Sequence, residues 1–471
     1  MRIVAAVAVA AAASLSPVGG SGGAYAVQDG AAPSWFTEGP VYVTGPTYFA
    51  DRKIASVTQS IPQLKDLGLR TVYLLPVWKH VGQYPYSILD YYATDPRYGE
   101  TSDLRAFVKA VHDSGMRIIF DLVTGYTPDS GVIATKHPDW LLRSRKGEIE
   151  QGWPHHWGPT VDRANPQVQD YFVAVARHYV EHYGIDGWRA DAPQNNYNPK
   201  EVPGQHDALD IFRKIRRAVA GAKPDAVLYG EWHGIRNDWG EFSDRHGTEF
   251  DEVFDCSQGW LFRRWALDAA RRGGTNSQDL IEFLRNEPVG CHRLRSRFLE
   301  DQNVQRIPVV LKEHLGGVGL LRPLAVLTFT VPGVPYMQAG QEIGALAGRE
   351  RSNPFPATDW SAGDASLREF YKKLIAIHRR CAALRCGSIA NVWKSGDNAY
   401  GYGRSHEAEK TIVVLNFAGK PATPNLDLSF LHKGARLRDE FSQENLSLDN
   451  PGAFRLDVPA FGFWILTVTA R

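Results

Sequence analysis

NPQVQDYFVAVARHYVEHYGIDGWRAD, residues 165–191, reads as a helix, its stop and a buried strand in one run. Asn165 suits the cap position and Pro166 the first turn, where a missing N–H costs nothing. Val168, Tyr171, Phe172 and Val175 then fall on one helical face, Gly184 ends the helix, and GIDGWRAD (184–191) follows as a short apolar strand. The same plan recurs upstream in SDLRAFVKAVHDSGMRIIFDLV (102–123), where Leu104, Phe107, Val108 and Val111 share a face and Gly115 precedes the strand RIIFDLV. It recurs again in LKDLGLRTVYLLPVW (64–78). Further strands are expected at VYVTG (41–45), AVLYGEW (226–232), DEVFDC (251–256), RFLE (297–300) and VPYMQAG (334–340). Strands alternating with helices pair in parallel, and eight of them predict an α/β chain folded as a (β/α)8 TIM barrel.

Outside that alternation the texture changes in three places. Residues 1–26 begin with Arg2 and the apolar run IVAAVAVAAAASL and end in Ala24-Tyr25-Ala26, the pattern of a secretory signal peptide, so a secreted mature chain starting near Val27 is expected. The run is short for a bilayer span and no later segment is longer and as apolar, which argues against a membrane partner. About residues 124–164 form an insertion after the third strand, rich in Pro, Gly, His and Trp; the barrel then spans 27–385. Residues 386–471, with short alternating runs such as KTIVVLNFAG and FRLDVPAFGFWILTV, read as a C-terminal antiparallel β domain, a β-sandwich.

Charge excludes one class of partner. The 53 basic and 52 acidic side chains nearly cancel, and no Lys/Arg run is interleaved with aromatics, so no nucleic-acid partner is expected. The 13 tryptophans and 19 tyrosines offer flat rings with a polar edge that suit sugars, although most such rings pack the core. Export permits disulfides: Cys381–Cys386 with Cys256–Cys291 is one pairing, and four unpaired buried thiols is the other reading. No histidine joins these cysteines at zinc-ligand spacing, and no metal is expected. The chain is taken to act as a monomer.

Catalytic groups of such a barrel come from the C-terminal ends of its strands. Side chains alternate along a strand, so Arg189 and Asp191 point the same way, into the barrel mouth. The guanidinium is expected to keep Asp191 ionised. At the next strand end, Glu231 is followed by Trp232 and His233; a partly desolvated Glu would hold its proton and act as a general acid. Two carboxyls about 5 to 5.5 Å apart are what retaining glycosidic hydrolysis requires, and the same residues could instead be an ion pair and a buried acid that orient loops.

These residues resemble the α-amylase family of glycoside hydrolases, glycoside hydrolase family 13, over nearly all of the mature chain. GIDGWRAD is similar to the fourth-strand motif, which implies Asp191 as nucleophile and Arg189 as its orienting arginine. YGEW resembles the fifth-strand motif with its acid/base glutamate, here Glu231. YPYSILDYYATDPRYG (84–99) implies Tyr86 as a ring stacked on the cleaved sugar, FDLV matches the third-strand motif at Asp121, and FTVPGVPYMQAGQEIG (329–344) resembles the eighth-strand signature. The resemblance further implies an oligo- or polysaccharide substrate with an α-glycosidic bond, a short B domain at 124–164 and a C domain in the tail. Water and two carboxyls suffice for the chemistry, so no cofactor is needed.

The departures cluster at one sugar position. FLEDQNVQR (298–306), kept in register at Arg306, puts Asn303 where the family has its third catalytic aspartate and Gln302 where it has a histidine. An amide's hydrogen bonds are about half as strong as a carboxylate's, making Asn303 a weakened stabiliser. Asp301, two residues earlier, is the alternative. Gly125 and Tyr126 replace an Asn and a His, and Gly125, with only a carbonyl to offer, argues against the family's calcium. Asn195 replaces a further histidine. Trp153, His155, His156, Trp157, Trp232 and His233 are candidate sugar platforms. A glycosidase rebuilt for something other than ordinary starch, a carbohydrate binder without turnover, and a transglycosylase all remain open.

Overall fold

The structure is a computed structural model that describes residues 33–152, 157–193, 210–232, 252–255, 294–315, 317–347, 356–395 and 399–469, with the main chain alone at 232, 252–255, 294, 295, 313–315, 390, 394 and 395. The signal segment, Trp153, His155, His156, Asn195, His233, Cys256 and Cys291 lie outside the described residues. Eight strands form a closed parallel barrel: β1 (Val41–Thr44), β2 (Thr71–Leu74), β3 (Arg117–Val123), β4 (Gly187–Asp191), β5 (Val227–Trp232), β6 (Glu252–Asp255), β7 (Leu294–Arg297) and β8 (Val334–Gln338). Each bonds to the next in chain order, and β8 closes on β1 through Val41 opposite Tyr336.

The helices that return the chain pack outside. They include α1 (Ile54–Leu67), α2 (Thr101–Asp113), α3 (Pro166–Tyr183), α4 (Asp210–Ala222), α5 (Ile307–Leu315), α6 (Leu321–Thr330) and α7 (Ala365–Arg380). Helix α3 is capped as its sequence predicts: the Asn165 side chain accepts from the Gln167 N–H at 2.9 Å, and Gly184 closes the end in a left-handed conformation. Its buried face is Val168, Phe172, Val175, Ala176, Tyr179 and Val180. Between α3 and the barrel lies Trp188, whose N–H donates to the Ala176 carbonyl and whose ring stacks on Trp78. No described helix is long and apolar enough to cross a membrane.

Strand β7 ends three residues before the expected RFLE segment does. Phe298, Leu299 and Glu300 are buried beyond the last paired residues because Glu300 caps α5 instead of extending the ladder. Its carboxylate accepts from the Ile307 N–H at 2.9 Å and from Arg306 at 2.7 Å. Arg306 also donates to the carbonyls of Ala339 and Ala347, tying the end of β7 to the loop after β8.

At the opposite, N-terminal end of the barrel sits Asp186, fully buried, receiving Arg117, His112, Lys223 and the Ile118 N–H. Burial pushes this carboxyl up, and the bonds from His112 and Lys223 more than cancel it, bringing its pKa down to about 2. One residue on, β4 and β5 approach so closely that a Cβ on Gly187 would lie 2.5 Å from the Val227 carbonyl oxygen. Gly187→Ala is therefore expected to destabilise the chain by about 1–3 kcal/mol. Gly221→Ala, with nothing within 4 Å of its Cβ, is the matched control and should not destabilise. Denaturant midpoints for the two variants check the pair.

Two segments interrupt the alternation before α3. An antiparallel hairpin, Trp78–His80 against Ile88–Thr94, follows β2 and presents Tyr84 and Tyr86 from its loop. The segment after β3 folds back on itself through isolated bridges, Tyr126 to Thr160, Leu141 to Val161 and Arg143 to Ile149. Beyond α7, six strands form an antiparallel sheet in the order β9 (Ser388–Ser395), β10 (Ala399–His406), β11 (Glu409–Asn416), β16 (Phe463–Thr469), β13 (Arg436–Asp439), β14 (Asn445–Ser447). A two-stranded ribbon, β12 (Asn425–Leu426) with β15 (Phe454–Arg455), accompanies it, and Leu426, Leu428, Leu437, Leu448 and Val458 share a core with it.

The Cys381–Cys386 pairing is corrected. Cys381 is a free, buried thiol, pushed up to about 12 by burial, whereas Cys386 is in a disulfide whose partner lies outside the described residues. Cys381 is the N-cap of the short helix Ala382–Cys386, in an extended conformation, and Cys386 is its last residue, so the helix stands between the two sulfurs.

Candidate active site

Alternation along β4 sends Trp188 and Ala190 outward to the helices and leaves Arg189 and Asp191 for the interior. Register places Asp121 of β3 and Tyr229 of β5 on either side of Arg189. The Arg189 guanidinium lies within 2.8 and 3.0 Å of both Asp121 oxygens and 2.7 Å of Asp191 Oδ1 through Nη1, and reaches Glu231 Oε2 at 2.5 Å through Nη2. Asp191 and Glu231, on neighbouring strand ends, thus meet on one planar fork. Tyr73 and Tyr86 present their rings to the same guanidinium, with centroids 5.9 and 5.8 Å from it. All six of these side chains are buried, Asp191 being the most open at 8%.

Arg189 does favour the ionised form of Asp191, as expected, but it does not act alone. Burial raises the Asp191 pKa well above the usual carboxylate range; Arg189 opposes this, and the charges of Glu231 and Asp121 reinforce it. Asp121 is raised too, by burial first, against the pull of Arg189 and a short hydrogen bond from Tyr73. One cation faces three carboxyl groups, so they titrate as a set. The main chain adds a further donor: Ala192, in a left-handed conformation at φ 37°, points its N–H at Glu231 Oε2, 3.3 Å away. A side chain at such a φ is strained, and here the strain sits beside the reacting groups.

Tyr86 reaches the cluster but is only 2% exposed, and the Tyr84 ring packs against it at a tilt of 34°, with centroids 5.0 Å apart. Tyr84, not foreseen, is thus the more accessible of the two rings; its signal was the Tyr-Pro-Tyr spacing. Gln302 donates to the Tyr86 hydroxyl at 3.2 Å, so the residue in the family's histidine position is part of the site. Asp301 is buried, and its Oδ1 accepts from the Asn303 N–H at 2.6 Å in a tight turn; Asn303 itself is half-buried. Tyr126 is buried in the electrostatic field of Asp191 and packs on Trp157, which is 36% exposed, with centroids 5.4 Å apart. The Gly125 carbonyl accepts from the Val161 N–H at 3.1 Å, and no group of three or more His, Cys, Asp or Glu among the described residues is placed to hold a metal ion. Trp232 ends β5, with only its main chain described.

A closed parallel barrel that gathers acids from β3, β4 and β5 around one arginine at its mouth defines a class: TIM-barrel proteins with a carboxylate centre. The profile described as "Alpha amylase, catalytic domain" matches residues 51–158 and 155–380, and the chain belongs to the α-amylase family. It is 28% identical over 391 residues to a cyclomaltodextrinase of Thermoanaerobacter pseudethanolicus, covering 78% of this chain and 64% of that one. It is 27% identical over 407 residues to neopullulanase 2 of Thermoactinomyces vulgaris, covering 79% and 63%. The chain thus spans just under two thirds of the length of these relatives. Among solved structures, the α-amylase of Geobacillus thermoleovorans complexed with acarbose superposes with a TM-score of 0.78 at 20% identity, covering 93% of this chain and 99% of that one.

Proposed function

We propose that the chain is a secreted, retaining glycoside hydrolase that cleaves α-glycosidic bonds in short oligosaccharides rather than ordinary starch. The observation that carries this reading is the convergence of Asp191 and Glu231 on the two ends of the Arg189 guanidinium. Asp191 uses Oδ1 to hold Arg189, and among the described residues its Oδ2 has no hydrogen-bond partner, which leaves that oxygen to react. In the first step Oδ2 attacks the anomeric carbon while Glu231 gives its proton to the glycosidic oxygen; the C–O bond breaks and a glycosyl ester forms on Asp191. In the second, Glu231 takes a proton from water, whose oxygen attacks the same carbon and releases Asp191.

The set of three carboxyls suits this sequence. Asp191 must be ionised when Glu231 is protonated, and one proton shared by the set meets both needs when it sits on Glu231. Choice of substrate follows from the departures at the sugar position, where amides at Gln302 and Asn303 and the Tyr126 ring replace charged or basic groups. The names of the relatives, cyclomaltodextrinase and neopullulanase, point to small α-glucans as the first substrates to try.

A mechanism-based fluorosugar tests the reading. The expected result is a covalent adduct located on Asp191 by peptide mass analysis, with first-formed products of retained configuration. Binding across a broad panel of sugars with no adduct and no cleavage overturns it in favour of a carbohydrate binder. Products lengthened by added acceptor sugars would identify a transglycosylase.

A further inference from the structure

The indole N–H groups of Trp35, Trp78, Trp140, Trp188 and Trp464 each donate to an acceptor in the protein. Trp360 has no such acceptor among the described residues, and it is 37% exposed. Its ring lies nearly parallel to Phe49, with centroids 5.8 Å apart and planes at 28°. Trp393 also lacks an acceptor among the described residues, but it belongs to β9 of the C-terminal sheet, where it stacks on Phe430. Phe49 and Trp360 come instead from the loops after β1 and β8. Both loops leave C-terminal strand ends, so the pair stands on the same face of the barrel as Asp191 and Glu231.

The pair is held rigid. The Thr358 N–H donates to the Tyr48 carbonyl at 2.9 Å, pinning one loop to the other, and Gln338 of β8 donates to the Tyr48 hydroxyl at 2.8 Å. Asp359 Oδ1 accepts from the Ser361 N–H at 3.0 Å and the Ser361 hydroxyl at 2.7 Å, fixing the turn that carries Trp360. An indole backed by a second ring, anchored by main-chain bonds and left with its donor unclaimed, is a flat apolar surface with a polar edge. A pyranose matches it, since the ring's C–H face covers the indole and its hydroxyls reach the N–H.

We propose that Trp360, backed by Phe49, is a remote sugar platform that stacks one ring of an oligosaccharide whose scissile bond lies at Asp191 and Glu231. This rests on the reading of the catalytic site given above. Long substrates would span both sites, whereas the shortest would reach only the carboxyls, so affinity would depend on chain length.

The test is a set of kinetic constants for maltooligosaccharides of increasing length on the wild type, Trp360→Ala, Trp360→Phe and, as a control for losing an exposed aromatic elsewhere, Phe430→Ala. The expected result for Trp360→Ala is a KM about tenfold higher on the longest substrates, unchanged on the shortest, with kcat unaltered. Trp360→Phe should recover most of the loss and Phe430→Ala should show none. Titration of the same sugars into Asp191→Asn, with and without Trp360→Ala, should give the same dependence on length without turnover. A KM shift equal at every length, or none at any, overturns the platform while leaving the catalytic reading intact. A wild type that neither cleaves nor binds any of these sugars overturns the catalytic reading, and the platform with it.

Discussion

Replacing Arg189 by methionine is expected to destabilise the chain by about 3–5 kcal/mol at neutral pH and to abolish turnover, because it removes the cation that pairs, among the described residues, with a buried set of three carboxyl groups. The pH dependence separates this cause from lost packing. Asp121 and Asp191 already have folded pKa values raised above those of the unfolded chain. A carboxyl raised in this way favours folding most below its unfolded pKa, and that contribution is lost as pH rises through the folded value. Without the guanidinium the folded values rise further, so the variant's deficit should be largest above neutrality and shrink as the solution is acidified. Unfolding midpoints of variant and wild type across mildly acidic to mildly alkaline pH measure it. A deficit that does not change with pH would mean that Arg189 acts through its packing alone.

Asp191→Asn should lower kcat on the order of 10⁴-fold on every substrate while leaving sugar binding near its wild-type strength. The amide keeps an oxygen for Arg189 but cannot form the ester. Glu231→Gln is predicted to differ in kind. Its loss should reach about 10²–10⁴-fold for sugars with poor leaving groups and become small for activated aryl glycosides, whose departure needs no proton. Rates for both variants on a matched natural and aryl substrate make the comparison. Equal losses on the two substrates for Glu231→Gln would remove it from the acid role, and residual turnover by Asp191→Asn at a tenth of the wild type would remove Asp191 as nucleophile.

What could be read in advance followed from periodicity. Helical spacing at Leu104, Phe107, Val108 and Val111, and again at Val168, Phe172 and Val175, coincides with the buried faces of α2 and α3. Period-two alternation brought Arg189 and Asp191 to one side of β4 for the same reason. What escaped depends on contacts between distant segments. The end of β7 could not be located from RFLE because Glu300 is claimed by Arg306 and Ile307, which a strand pattern does not reveal. Tyr84 lies over Tyr86 only because a hairpin loop folds onto the barrel mouth. The crowding of three acids on one arginine needed the register between β3, β4 and β5, so a pairwise reading of Arg189 with Asp191 missed the burial and the neighbouring charges that oppose the arginine. Cysteine pairing failed for a local reason, the turn of the helix between Cys381 and Cys386.

The two aspartates of GIDGWRAD lie five positions apart, and acid treats them in opposite order. Asp191 accepts a proton while the solution is still far from the range in which Asp186, at about 2, gives up its charge. Acidification therefore silences the reacting end of β4 before it loosens the anchored end, so the loss is a pause rather than a collapse. Over that interval, neutralising the solution should return full activity with no refolding phase.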